Sequence, residues 1–307
     1  MLLICHKLWG RKKTMKKINY ILVIIVILVL TGCRANINQG EPIIRIGLTI
    51  DDANPASGIA SQQFIKDLER FLGIQVIAVE DITYLVAIEA MRAGNLDIMM
   101  ASAFNYIMAR EVVDVELLAT ISIDNNRNYT AFITSYDKTD IQTVADLKGR
   151  SFAFVDAAST SGGIFPKYYL VQNFGVDPEL IMHNEEFFST AVYSGSHNSS
   201  IMGVYFGDFD GAAVAAMQID NLIDSGAITE GSIRVIGRTE YFPNPAYIVR
   251  SELGSYIIRK LSEFFLTYNN EDYFYYIWGS SDLRFEQPNP EEFDKIVSLV
   301  SRLGIGR

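Results

Sequence analysis

The spacing of apolar positions switches repeatedly between the period of a strand and that of a helix. Ile44, Ile46 and Leu48 alternate within Ile43 to Ile50, which predicts a strand with one buried face. Phe64, Ile65, Leu68, Phe71 and Leu72 then recur at three- and four-residue spacing. They predict a helix over Ser57 to Leu72, stopped by Gly73. Further strands are predicted at Ile74 to Val79, Leu96 to Met100, Ser151 to Val155, Asp210 to Val214, Ile233 to Gly237 and Ala246 to Arg250. Helices are predicted at Leu85 to Ala93, from Ser102 to Tyr106 onward, at Ile201 to Phe206 and at Gln218 to Ser225. Tyr129 to Ser135 is an extended segment suited to crossing between two lobes, and Thr239 to Pro245 to returning. The C-terminal part reads as helical: Ser255 to Tyr268, an aromatic run around Tyr273 to Trp278 read as core packing, and Pro290 to Leu303. Asn289 serves the last helix as N-cap, with Pro290 at its first position.

The first 32 residues follow a different pattern. Lys16 and Lys17 precede an unbroken apolar run, Ile21 to Leu30, too short for a comfortable membrane span. Leu30-Thr31-Gly32-Cys33 then reads as a lipobox, so residues 1–32 are expected to be a lipoprotein signal peptide and Cys33 the lipidated residue. Met15-Lys-Lys is the more natural start of such a peptide. Residues 33–42 are a polar tether, and the domain is expected on the extracytoplasmic side of the membrane. The only other cysteine, Cys5, lies in the peptide, which leaves no thiol nucleophile and no thiolate metal site.

Charge narrows the partners. Cleavage before Cys33 removes six basic and no acidic residues, leaving 20 basic against 36 acidic and a net charge near −16. Such a surface repels nucleic acid. An anionic ligand would have to be held by local donors, not drawn in by the overall field. The 307 residues are enough for two lobes.

Local donors gather at helix starts. Ser159, Thr160 and Ser161 follow a short apolar strand and precede Gly162-Gly163 and an apolar run that looks helical. The N–H groups of a first helical turn have no intrahelical partner and, with the helix dipole, favour an anion. Ser159 or Ser161 also suits a plain capping role. Pro166 conflicts with a regular helix starting at Ser159, so the helix either starts near Ile164 or bends. Tyr84, Tyr106 and His197 stand at three other predicted helix starts, all following strands, where open α/β sheets place ligands. Ser196, His197 and Asp210 are near in sequence, which does not by itself make a triad. No H-E-x-x-H, G-x-S-x-G or Walker A motif is present, and no enzyme activity, cofactor or metal is expected.

Phe154-Val-Asp-Ala-Ala-Ser-Thr-Ser-Gly-Gly-Ile-Phe-Pro166 is close to the pattern F-V-D-P-x-S-T-S-G-x-x-F-P. The Tyr84 helix with Gly94-Asn-Leu-Asp97, Gly195-Ser-His197, Gly207-Asp-Phe-Asp210 and the Pro243/Pro245 return match as well. With these motifs the chain resembles, from Ile43 to Leu303, the phosphonate/phosphite/phosphate-type substrate-binding proteins of ABC transporters. The resemblance implies an α/β, two-lobed fold of the type II periplasmic binding protein kind, each lobe a mixed sheet flanked by helices, with a two-stranded hinge. Lobe 1 is expected at residues 43–131 and 242–307, and lobe 2 at 132–241. It further implies a monomer that captures a small phosphorus oxyanion through Ser159, Thr160, Ser161, His197, Tyr84 and Tyr106 and delivers it to permease and ATPase subunits. Two positions depart from the pattern. Ser102-Ala103 stands where the family has Gly-Pro, and Ala215 or Ala216 where it often has an acidic or amide residue that would pair a ligand amine. A sulfonate or other organic anion, or a sensor role, is the alternative.

Overall fold

The computed structural model describes residues 42–48, 55–80, 83–122, 128–183 and 186–302. The signal peptide, Cys33 and nearly all of the tether lie outside them.

The alternating segments build two mixed sheets. Strands β1 (Ile43–Gly47), β2 (Gln75–Val79), β3 (Ile98–Ala101), β4 (Val115–Ile121), β10 (Ala246–Arg250) and β11 (Phe285–Glu286) form the first, in the order β11-β4-β10-β3-β1-β2. Strands β5 (Thr130–Ser135), β6 (Ser151–Phe154), β7 (Thr190–Tyr193), β8 (Gly211–Ala215) and β9 (Ile233–Arg238) form the second, in the order β7-β6-β8-β5-β9. β1 is parallel to both β2 and β3, and β6 to both β7 and β8. Helices α1 (Pro55–Leu72), α2 (Tyr84–Arg92) and α3 (Ala103–Val112) connect the first set of strands. Helices α4 (Phe165–Phe174), α5 (His197–Phe206) and α6 (Met217–Asp224) serve the second, and α7 (Ser255–Thr267), α8 (Glu271–Trp278) and α9 (Pro290–Arg302) return to the first.

The sheets exchange one strand each. β5 follows β4 of the first sheet but pairs antiparallel with β8 and β9; β10 follows β9 of the second but pairs antiparallel with β3 and β4. Thr130 and Ala131, expected in the first lobe, therefore pair within the second sheet. The two crossings are tied to each other. Asn128 and Phe242 exchange N–H to carbonyl bonds of 2.9 and 2.8 Å, and the Thr130 N–H donates to Thr239 Oγ1 at 2.9 Å. Thr120 Oγ1 donates to the Pro245 carbonyl at 2.9 Å, and Asn244 Nδ2 to the Ile121 carbonyl at 3.2 Å.

The aromatic run near the C-terminus is core. Tyr273, Phe274 and Trp278 are buried, with Tyr273 stacked on Phe64 at a centroid distance of 4.6 Å. Asn270 caps their helix by accepting the Tyr273 N–H. Tyr275 and Tyr276, on the other face, are exposed.

Candidate functional site

The hydroxyl-rich turn follows directly from β6. The Val155 N–H donates to the Gly162 carbonyl at 2.8 Å, so the chain loops out and folds back on the strand end. Asp156 steadies the loop: its Oδ1 accepts the Ala158 N–H at 2.7 Å and its carbonyl accepts the Ser159 N–H at 3.1 Å. Residues Thr160–Ile164 form one π-helical turn, with the Ile164 N–H reaching back to the Ser159 carbonyl at 2.9 Å. Such wide turns recur at functional sites. Here the turn resolves the Pro166 conflict, because the α-helix proper begins at Phe165 and Pro166 falls in its first turn, where no N–H is required. The glycines are sterically required. A Cβ at Gly162 would lie 2.2 Å from Val155 Cγ2, and one at Gly163 would lie 2.2 Å from the Asp156 carbonyl oxygen.

The three hydroxyls of this turn point to three different tasks. Ser159 is the cap, its Oγ accepting the Gly162 N–H at 3.0 Å. Thr160 Oγ1 accepts the Phe104 N–H at 2.8 Å, a buried bond from the first turn of α3 across to the second sheet's turn. Ser161 Oγ lies 3.3 Å from His197 Nε2, while the Ser161 carbonyl accepts Thr130 Oγ1 at 2.7 Å. The N–H groups of Thr160 and Ser161 find no partner among the described residues, as first-turn donors do.

His197 opens α5 because Ser196 caps it, accepting the Ser199 N–H at 3.0 Å. The cap starts the helix four residues ahead of the predicted Ile201. The Ala215 N–H at the end of β8 donates to His197 Nδ1 at 3.1 Å, so Nδ1 carries no proton and the neutral ring must carry it on Nε2. Burial pushes the imidazole down to about 4, well below its ordinary 6.5. At neutral pH His197 is thus an uncharged N–H donor beside Ser161. The same bond removes any triad: Nδ1 accepts a backbone N–H instead of donating to a carboxylate. Asp210 bonds instead to Ser151 at 2.9 Å and Lys138 at 2.8 Å.

The first sheet supplies Tyr84, the first residue of α2. Burial raises the pKa of its phenol and the Asp156 carboxylate raises it further, so the hydroxyl stays protonated. Tyr84 also packs in one apolar cluster with Ala158, Ile164 and Phe165 from the second-sheet side. Tyr106 lies in the same apolar cluster, on the side of it that meets α9. Its ring meets Phe293 edge-on at 5.5 Å, and the Arg110 guanidinium, paired with Asp294 at 2.6 Å, lies 5.2 Å from its centroid. Residues four apart share a helix face, and the face of Tyr106 and Arg110 is turned to α9. The group also includes contributors that no side-chain motif marks: the backbone N–H groups of Phe104 and Ala215, and Thr130. Asn105, next to Phe104, is fully buried with neither amide atom hydrogen-bonded among the described residues.

Across the described residues no group of three or more His, Cys, Asp or Glu side chains gathers to hold a metal ion, and no helix is long and apolar enough to cross a membrane. The family model described as "ABC transporter, phosphonate, periplasmic substrate-binding protein" matches residues 54–287. The chain belongs to this family. It is a family of transport proteins, and two curated relatives illustrate it. The phosphate-import protein PhnD of Mycolicibacterium smegmatis is 27% identical over 207 residues, 66% of this chain and 64% of the relative. The phosphonates-binding periplasmic protein of Escherichia coli K12 is 24% identical over 210 residues, 67% of this chain and 60% of the relative. The chain thus matches less than two thirds of either relative's length. Among solved structures, PhnD1 from Prochlorococcus marinus MIT 9301 in complex with methylphosphonate superposes with a TM-score of 0.72 at 21% identity. That match covers 85% of this chain and 98% of the other. At that identity the likeness establishes the fold: α/β, two mixed sheets flanked by helices, as in periplasmic binding proteins.

Proposed function

We propose that this phosphonate-family protein is the solute-binding component of an ABC importer and captures a small phosphorus oxyanion where its two sheets meet. The observation that carries the reading is the meeting of Ser161 Oγ with the Nε2 of a neutral His197 at 3.3 Å, beside the open N–H groups of the turn. Family membership and the methylphosphonate carried by the Prochlorococcus neighbour support it. The tetrahedral head group would accept bonds from the Ser161 hydroxyl, the Thr160 hydroxyl proton, the turn N–H groups and His197 Nε2, with Tyr84 approaching from the first sheet. Ser159 contributes by holding the turn. Ligand bonds made from both sides favour the closed arrangement, which is how binding is coupled to delivery. In this reading the protein catalyses no reaction. It acts as a monomer outside the cytoplasm, tethered by lipid on Cys33, and hands its cargo to permease and ATPase subunits.

The ligand panel follows from the chemistry. Thermal denaturation with phosphate, phosphite, methylphosphonate, 2-aminoethylphosphonate or methanesulfonate should show a rise in melting temperature with at least one of the first three. A ligand at a hundred times its Kd adds about 2.7 kcal/mol. The amino group of 2-aminoethylphosphonate finds no carboxylate at Ala215 or Ala216, so this ligand should stabilise less than methylphosphonate. A panel in which only methanesulfonate raises the melting temperature would replace this cargo with a sulfonate.

A further inference from the structure

Asn105 is the first-turn residue of α3 that follows Phe104, the residue whose N–H reaches Thr160 Oγ1. Its side chain is 0% exposed, and neither Nδ2 nor Oδ1 has a hydrogen-bond partner among the described residues. Leaving a buried polar group unpaired is destabilising, and an amide has two such ends. A leucine of similar size would avoid that cost entirely. Ala103, Phe104 and Ile107 of the same helix pack in one apolar cluster with Ala158 and Ile164, which flank the hydroxyl-rich turn. The site it adjoins is otherwise built of donors: the Ser161 and Thr160 hydroxyls, the turn N–H groups and His197 Nε2. Asn105 Oδ1 adds an acceptor to that set.

We propose that Asn105 contacts the ligand from the first-sheet side and selects an oxyanion that carries a proton. A phosphorus oxyanion bearing one P–OH beside a P–O⁻ offers a donor to Oδ1 and an acceptor to Nδ2 side by side. A sulfonate offers acceptors alone and leaves Oδ1 unpaired against an anionic oxygen. Phosphorus oxyanions exchange their second proton near neutral pH, so the protonated form is available under ordinary conditions. The proposal rests on the reading of this chain as a phosphorus oxyanion binder and specifies how the site would tell phosphonate from sulfonate.

Asn105→Leu, with Asn105→Ala as the smaller alternative, tests it by titration calorimetry with methylphosphonate and methanesulfonate and by melting of the unliganded protein. The expected result is a methylphosphonate affinity at least tenfold weaker, a narrower ratio between the two ligands, and an unliganded Asn105→Leu protein that melts a few degrees higher than wild type. An unchanged affinity and ratio in both variants, with wild type binding methylphosphonate normally, overturns the role of Asn105 and leaves the transport reading intact. An unliganded Asn105→Leu protein that melts lower at unchanged ratio also overturns it, by assigning the amide a structural role. Wild type that binds no phosphorus oxyanion overturns both.

Discussion

Replacing Gly163 with alanine is expected to abolish measurable oxyanion binding and to lower stability by about 1–3 kcal/mol, the usual range for overpacking. The new methyl group would sit 2.2 Å from the Asp156 carbonyl oxygen. A backbone atom cannot swing aside as a side chain does, so relief requires the turn to move away from β6. That movement breaks the Val155–Gly162 and Ser159–Asp156 backbone bonds and carries Ser161 away from His197. Gly58→Ala is the internal control. It lies inside α1, and an added Cβ there meets nothing within 4 Å. That substitution should stabilise the protein by roughly 0.5–1 kcal/mol and leave binding alone. Denaturant melts and calorimetry on both variants provide the comparison, and wild-type affinity in Gly163→Ala would remove the turn from the site.

Replacing His197 with alanine should weaken oxyanion binding by about tenfold to a hundredfold, the worth of one charge-assisted hydrogen bond of roughly 1.5–3 kcal/mol. It should also lower stability, because the Ala215 N–H, in a buried strand end, loses the Nδ1 acceptor it bonds at 3.1 Å. The histidine leaves a signature in pH as well. Its folded pKa of about 4 lies below the unfolded value of 6.5. Between those values the unfolded chain takes up a proton that the folded chain refuses. Stability from this group is therefore complete above pH 6.5, declines as pH falls toward 4, and declines no further below that. Protonating Nδ1 would set two donors, the imidazolium and the Ala215 N–H, against each other. Melting curves of wild type should show this decline and those of His197→Ala should lack it. A parallel loss in both would assign the acid sensitivity to other groups.

Much of this arrangement is readable from sequence because local signals and tertiary structure agree. The Ser-Thr-Ser-Gly-Gly turn is marked by its residue types, since hydroxyls cap and glycines permit close backbone approach. The aromatic run resolves by helical spacing into buried Tyr273, Phe274 and Trp278 and exposed Tyr275 and Tyr276. Other parts follow from contacts distant in the chain. β7 (Thr190–Tyr193) is a four-residue edge strand with no buried residue, so it shows no apolar alternation. β4 carries Leu117, Leu118 and Ala119 in succession between Glu116 and Thr120, so periodicity cannot separate strand from helix. Tyr106 packs against Phe293 and beside the Arg110–Asp294 pair, contacts with α9 nearly two hundred residues away that its position in the motif does not announce. The donors from Phe104 and Ala215 are backbone groups and have no side-chain signature at all.

In this protein, whose acidic residues outnumber its basic ones, an anion is to be held by uncharged donors. Nitrogen-15 NMR of the His197 ring, recorded from pH 5.5 to 7.5 with and without saturating methylphosphonate, tests this most directly. The prediction is an unprotonated Nδ1 and a protonated Nε2 throughout, with the Nε2 resonance moving when ligand is added. A doubly protonated imidazolium in the complex, or a ring that does not respond to a ligand bound elsewhere on the protein, would contradict it.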